Sequence, residues 1–158
     1  MGQYRRARSG KGRPLSDDPF HLERFIKSQN TVWPQVRAEL AAGRKQSHWI
    51  WFVFPQIAGL GSSVRSVHFA ITSRGEARAY LDHDTLGPRL IEVTKLVLAV
   101  EGRSAHEIFG SPDGLKFRSS MTLFDAVAPN DIFAAALQKY FASERDTRTL
   151  EILREIDK

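Results

Sequence analysis

Cysteine is absent from the 158 residues of this chain. This absence excludes disulfide bonds, thiolate metal ligands and cysteine nucleophiles, and it fits a reducing compartment. Long hydrophobic runs are also absent, because the densest one, Trp49 to Phe54, is far shorter than the roughly 20 residues that cross a bilayer. No apolar stretch follows the basic N-terminus, as a secretory signal would require. We therefore expect a cytoplasmic protein without a membrane partner.

Acidic residues are missing from the first 16 positions. That segment carries five basic residues, and the whole chain has a formal net charge of +5, so residues 17–158 are formally neutral. A Gly-, Ser- and Arg-rich segment has little to bury, which predicts a flexible basic tail over residues 1–16. Weak, non-specific attraction to phosphates is the alternative role for the tail. We expect no specific nucleic-acid partner.

Residues 17–158 carry helical patterns and no convincing pair of strands. Apolar residues recur at helical spacing behind capping residues, and the connections between these segments are short. The pattern predicts an all-α fold, a single compact orthogonal bundle of about eight helices. The predicted helix starts are Asp17-Asp18-Pro19, Thr31, Ser73, Thr85, Ser111-Pro112-Asp113, Pro129-Asn130-Asp131 and Asp146-Thr147, and Ser104 is predicted to start a short turn that ends at Phe109-Gly110.

Three details of this prediction bear on the fold. The first helix should end near Asn30, and a second should run from Thr31 to Gly43 with Pro34 in its first turn. Residues 47–56 form a buried helix or an extended segment that Ser47 caps, and the pattern does not decide between the two. The apolar residues between Val64 and Ile71 predict one more short helix.

The aromatic segment at residues 48–56 is the first candidate for a site. Two tryptophans and a phenylalanine with polar residues at either end could make a pocket that stacks on a flat ligand such as a nucleobase. The residues of this cluster are His48, Trp49, Trp51, Phe54, Pro55 and Gln56. The alternative is that the aromatic side chains belong to the core, with the two polar residues at its boundary.

The glycine-rich turn Gly59-Leu60-Gly61-Ser62-Ser63 is the second candidate. Glycines let a backbone approach a phosphate closely, and Ser62 adds a hydroxyl ahead of a helix start. The turn lacks the lysine of a phosphate-binding loop and the third glycine of a dinucleotide fingerprint. An ordinary turn is the alternative.

The third candidate lies in the segment Lys116–Phe124. On a helix, Lys116 and Ser120 lie four residues apart on one face, with Ser119 beside them, so an ammonium and two hydroxyls could hold an anion. The alternative is a solvated helix face on which both serines bond back to carbonyls.

Metal and acid–base patterns are weak in this sequence. The five histidines show no metal-ligand spacing, and no metal or cofactor is predicted. The four acidic residues that could form carboxylate pairs are not brought together by any sequence spacing; they are Glu76, Glu92, Asp113 and Asp125.

Several motifs of the chain resemble those of one bacterial family. They include D-P-F-x-L-x-R-F near residue 18, H-W-I-W-F-V-F-P-Q-I-x-G-L-G-x-S from residue 48, and K-F-R-S-S-M-T-L-F from residue 116. Over about residues 17–154, the chain is similar to the family called domain of unknown function eighteen-ten. The resemblance implies an all-helical domain and no particular reaction. Members are often labelled calpastatin, but calpain-inhibitor segments are disordered, whereas this composition is that of a packed domain.

A more distant similarity concerns residues 63–70, S-V-R-S-V-H-F-A. This segment resembles the S-V-E-H-Y motif of the NADAR group, which acts on ADP-ribose-linked substrates. Arg65 stands in the segment and the glutamate of that motif is missing, so the resemblance assigns no catalytic residue.

Two functions therefore remain open from the sequence. In the first, the domain binds or processes an anionic, nucleotide-like small molecule of the ADP-ribose or NAD type. The sharpest form of this hypothesis brings five polar residues to one site floored by Trp51; they are His48, Gln56, Lys116, Ser119 and Ser120. In the second, the domain is a non-enzymatic interaction module that meets a protein partner through an exposed apolar patch. The sequence does not decide whether the protein is an enzyme, or whether it forms oligomers.

Overall fold

The helical prediction is confirmed in the computed structural model, which describes residues 17–157. This part of the chain forms one all-helical domain of nine helices without a strand. The predicted tail, residues 1–16, lies outside the described residues. The helices are α1 (Glu23–Ala41), α2 (Ile50–Val53), α3 (Val64–His68), α4 (Arg74–Asp82), α5 (Leu86–Ala99), α6 (Ala105–Phe109), α7 (Asp113–Val127), α8 (Ile132–Phe141) and α9 (Thr147–Ile156).

Helix α7 occupies the centre of the domain and packs on α8, α4, α6, α9 and α2. Its Phe117 ring is fully buried and lies 5.0 Å from the Phe54 ring and 4.7 Å from the Phe109 ring, measured between centroids. Edge-to-face and stacked aromatic pairs of this kind add to the stabilisation from burial. They fix the short α2 and α6 segments against the central helix.

Most predicted helix starts are confirmed by side-chain caps. The side chains of Ser73, Ser104 and Asp146 each accept a hydrogen bond from a backbone amide in the first helical turn, and Asp131 accepts from Ile132. Such caps satisfy amides that have no partner inside the helix. Sequence patterns alone therefore located the starts of α4, α8 and α9, whereas Ser104, predicted to start a short turn, caps the short helix α6.

The prediction of two helices before residue 43 was wrong, because α1 is continuous through Pro34. Proline removes one backbone donor from a helix and usually breaks it. Here one face of α1 is buried along its whole length, from Phe25 to Leu40, and tertiary packing outweighs the missing bond. The carboxylate of Asp18, rather than a residue next to Glu23, begins the helix by accepting hydrogen bonds from the Leu22 and Glu23 amides.

The segments around α2 and α3 also differ from the prediction. Ser47 does not cap α2, since its hydroxyl donates to Glu39 instead. Helix α3 ends at His68, three residues before Ile71. Ile71 leaves the helix because it enters the core, where its amide donates to the Gln56 carbonyl and its carbonyl accepts from the Ala58 amide. This isolated parallel bridge joins the two segments that flank α3.

Gly87 lets α5 approach the end of α4 closely. A Cβ atom at this position of α5 would lie 2.0 Å from the Leu81 carbonyl oxygen, which belongs to α4. We expect Gly87→Ala to lower the free energy of unfolding by about 1–3 kcal/mol, because backbone must move to admit the methyl group. Urea denaturation measures this loss.

Gly75→Ala is the matched control for Gly87→Ala. A Cβ atom at Gly75 in α4 meets its nearest neighbour, Ser73 Oγ, at 3.6 Å, an ordinary contact. Alanine should therefore stabilise that helix by roughly 0.5–1 kcal/mol. Equal stability of the two variants would contradict the close approach of α5 to Leu81.

Candidate functional site

A pocket of about 370 Å³ opens beside α2 and α3. Apolar side chains form most of its wall, with a few polar groups among them. Its lining residues are Trp51, Gln56, Ile57, Ala58, Gly59, Leu60, Gly61, Ser66, Val67, Phe69, Ala70 and Thr72. A concave, mainly apolar pocket with few polar groups is typical of small-molecule sites.

One wall of the pocket, residues 68–72, is fixed by Arg24 of α1. The Arg24 guanidinium donates to the His68 carbonyl at 2.8 Å and to the Ala70 carbonyl at 2.9 Å. It also forms an ion pair with Glu76 at 2.8 Å, and both side chains are almost fully buried. Glu76 in turn accepts hydrogen bonds from the amide and hydroxyl of Thr72. Side chains of two helices, Arg24 of α1 and Glu76 of α4, therefore fix the backbone of this part of the pocket wall.

The opposite wall is the glycine-rich turn, which is shaped by close packing. A Cβ atom on Gly61 would lie 2.7 Å from Ser66 Oγ. Gly59 has a φ of +104°, a backbone conformation that residues with a side chain rarely adopt. Both glycines are therefore explained by the backbone path. Ser62 is exposed and does not line the pocket, while Ser63 caps α3.

Trp51 at the pocket lies beneath two cations. The Arg65 Cζ atom is 4.9 Å and the Lys116 Nζ atom 5.1 Å from the centroid of the indole ring. None of the ion pairs found within residues 17–157 involves Arg65 or Lys116. The Trp51 Nε1 atom is buried and lacks a hydrogen-bond partner in the same part of the chain. Cation–π attraction thus gathers two positive charges that form no ion pair with a carboxylate of the described residues.

The two serines of α7 are buried, whereas Lys116 is only half-buried. Ser119 is buried and its hydroxyl donates to the Leu115 carbonyl at 3.1 Å, the backward bond that was the structural alternative for this residue. Ser120 is fully buried, and its hydroxyl has no partner among the described residues. Neither serine lines the pocket.

Three of the residues predicted for a shared site thus lie close together: Trp51 and Gln56 in the pocket wall, and Lys116 against Trp51. His48 is exposed and does not line the pocket.

Sequence reasoning did not include Arg65, Ser66, Val67 and Thr72 in the site. The one available signal was the polar and cationic character of residues 63–68 between a glycine-rich turn and a buried aromatic residue.

A family model described as "Protein of unknown function (DUF1810)" matches residues 19–153. The chain belongs to the DUF1810 family. No curated protein matches its sequence. The crystal structure of the conserved hypothetical protein Rv1873 from Mycobacterium tuberculosis is similar, with 54% sequence identity and a TM-score of 0.85. The similarity covers 87% of this chain and 99% of that one. The DUF1810 description and the name of the solved structure assign neither a ligand nor a reaction.

The carboxylates of this DUF1810 domain form separate ion pairs instead of one acidic cluster. Each of the four acidic residues considered from the sequence contacts a different base: Glu76 with Arg24, Glu92 with Arg37, Asp113 with Lys45, and Asp125 with Arg145. Within residues 17–157, no three histidine, aspartate or glutamate side chains lie close enough to hold a metal ion. No helix in this range is long and apolar enough to cross a membrane.

Glu39 of α1 organises the segment that leads into α2. Its carboxylate accepts hydrogen bonds from the Ser47 hydroxyl at 2.6 Å and the Trp49 indole at 2.9 Å, and from the amides of Gln46 and Ser47. Burial alone raises the pKa of Glu39. The hydrogen bonds outweigh burial and lower this pKa from its ordinary value of 4.5 to about 2. Glu39 is therefore ionised at neutral pH and fixes the chain just before Trp51.

Proposed function

We propose that this domain binds an anionic, nucleotide-like small molecule, of the ADP-ribose or NAD type, in the pocket beside Trp51. The observation that carries the proposal is the pair of cations, Arg65 and Lys116, that share the Trp51 ring without a carboxylate partner in the described residues. Neither cation lines the pocket itself, but both contact Trp51, which does. Unpaired cations beside a mainly apolar cavity favour an anion over neutral or cationic ligands.

The other groups of the pocket suit the remainder of such a ligand. Ile57, Leu60 and Phe69 offer an apolar surface to a flat ring. Gln56 and Ser66 offer an amide and a hydroxyl to polar groups of the ligand. Arg65 and Lys116 occupy positions over the Trp51 indole, so in this proposal Trp51 orients the cations and does not itself stack on the base.

The described residues that line the pocket include no aspartate, glutamate or histidine. Binding therefore accounts for the arrangement without a catalytic group. His48, the proton-transfer candidate from the sequence, has no part in this proposal, because it is exposed, does not line the pocket and is not one of the cationic groups over the Trp51 ring.

A thermal-shift screen with ADP-ribose, NAD and other nucleotides tests the proposal. A ligand at 100 times its dissociation constant stabilises the folded state by about 2.7 kcal/mol, which raises the Tm of a domain of this size by about 5 °C or more. Arg65→Ala and Lys116→Ala should each abolish the shift, because each removes one of the charges that hold the anion.

Lys95→Ala is the matched control, since Lys95 is an exposed lysine on α5, outside the pocket. It should retain the full ligand-induced shift. The proposal fails if no nucleotide shifts the Tm, or if both cation variants bind as well as the wild type. A large loss of stability in unliganded Lys116→Ala would instead assign this lysine to folding.

A further inference from the structure

Large apolar side chains are exposed around the two cations. In the described part of the chain, five large hydrophobic residues are exposed, and three of them are Val64 at 86%, Val67 at 64% and Leu115 at 59%. Val64 and Val67 lie on α3 with Arg65, whereas Leu115 precedes Lys116 on α7. Most of the exposed apolar surface of this kind is therefore carried by the two helices that supply the cations.

The fold does not need the apolar character of α3. None of its five residues is buried. Val64 and Val67 are three residues apart, so they neighbour each other along one side of the helix, and Val67 also lines the pocket. An apolar patch that is continuous with a pocket and contributes nothing to the core is typical of an interaction surface.

We propose that the anion held by Arg65 and Lys116 is a phosphoryl group carried by a polypeptide, whose apolar side chains cover Val64, Val67 and Leu115. This inference rests on the proposed function, because it uses the same two cations. It adds a second class of ligand for these cations, a phosphoryl group on a protein partner, whose flanking chain contacts the exposed apolar residues Val64, Val67 and Leu115.

Charge favours a phosphoryl group over a carboxylate. Two cations without a carboxylate partner among the described residues are neutralised by about two negative charges. A phosphoryl monoester carries a charge of about −1.5 to −2 at pH 7, whereas an acidic side chain carries a single negative charge. The guanidinium of Arg65 can also bind two phosphoryl oxygens side by side, while Lys116 adds a compact charge.

The same charges argue against two other occupants. In a symmetric dimer through this face, a two-fold axis would place the surface against its own copy, so that Arg65 and Lys116 would meet like charges. Nucleic acid is held by many phosphate contacts along its backbone, whereas this surface offers two cations between apolar side chains.

The test uses an array of short peptides with a central phosphoserine between leucine or valine residues, and the same peptides with serine. Fluorescence anisotropy measures the affinity of the tightest members for the full chain. We expect phosphopeptides to bind and serine peptides not to bind. The double variant Val64→Ser, Leu115→Ser leaves the pocket lining intact and should weaken phosphopeptide binding by about tenfold, through lost apolar burial.

A comparison of three double variants separates this inference from the proposed function. Ile91→Ser, Ile156→Ser is the matched control, since both side chains are exposed on other helices, and it should bind like the wild type. Arg65→Gln, Lys116→Gln should lose both the phosphopeptide and the thermal shift with free ADP-ribose. The Val64, Leu115 variant should keep that shift.

The inference is overturned if no phosphopeptide binds more tightly than its serine counterpart, or if the Val64, Leu115 variant binds as tightly as the control. It is also overturned if sedimentation with phosphatidylserine vesicles, and not peptide binding, depends on Val64 and Leu115. A thermal shift with free ADP-ribose that depends on both cations, without phosphopeptide binding, would leave the proposed function standing and refute the polypeptide partner. Phosphopeptide binding that survives loss of both cations would also overturn the inference, because Arg65 and Lys116 would then not hold the phosphoryl group; loss of the ADP-ribose shift alone would refute the proposed function.

Discussion

Breaking the buried ion pair between Arg24 and Glu76 should lower the free energy of unfolding by about 3–5 kcal/mol, the largest loss expected from any single substitution considered for this domain. Arg24→Leu leaves the Glu76 carboxylate buried without its counter-charge, and it removes the donors to the His68 and Ala70 carbonyls. Urea denaturation at pH 7 measures the effect.

Local loosening should accompany the loss of stability. The amides of Ala58 and Ile71, which donate across the bridge beside the pocket, should exchange hydrogen faster in Arg24→Leu than amides of α8. Arg74→Leu is the matched control, because it breaks an ion pair with Asp157 in which both partners are roughly half exposed. That variant should change stability by less than about 1 kcal/mol. Equal losses in the two variants would show that Arg24 does not fix the pocket wall.

Glu39→Gln should lower the free energy of unfolding by about 3 kcal/mol at pH 7. The Glu39 pKa falls from 4.5 to about 2 on folding, and each unit of such a difference corresponds to about 1.4 kcal/mol of stability. A glutamine side chain has one acceptor oxygen, so some of the donors from Ser47, Gln46 and Trp49 would lose their partner.

The effect of Glu39→Gln should depend on pH with a definite sign. Because the folded-state pKa lies below the unfolded one, the ionised carboxylate stabilises the protein fully above about pH 4.5. This contribution is lost as the pH falls towards 2. Urea denaturation at pH 7, 4 and 2.5, values chosen to span that window, should show the difference from the wild type shrinking at acidic pH.

Glu151→Gln provides the comparison for Glu39→Gln, since Glu151 forms an exposed ion pair with Arg148. It should stay within about 0.5 kcal/mol of the wild type throughout. A difference between Glu39→Gln and wild type that is constant with pH would rule out a shifted Glu39 titration.

The helical class and most helix starts could be predicted because their causes are local. A capping side chain such as Ser104 or Asp131 contacts amides one to three residues away, so the sequence contains both partners. The continuity of α1 through Pro34 depends on a face that is buried by other helices. No local pattern contains that information.

The candidate site was predictable only in part, for the same reason. Trp51, Gln56 and Lys116 stood out as large or polar residues in apolar segments, and the structure brings Lys116 to Trp51 across 65 residues of sequence. The apolar residue Leu115 of α7 is 59% exposed, which the sequence does not indicate, because the helical period alone does not say which face meets the core. Arg65 joins Trp51 only through the path of the glycine-rich turn.

The position of Trp51 under two cations also gives this domain a built-in optical probe. Trp49 is 1% and Trp33 is 9% exposed, and neither lines the pocket. Both therefore contribute a constant background to the fluorescence when a ligand binds there. The emission of Trp51 depends on the charges against its ring. A ligand that draws Arg65 or Lys116 away from the indole therefore changes the Trp51 fluorescence, so binding can be measured without a label attached to the protein.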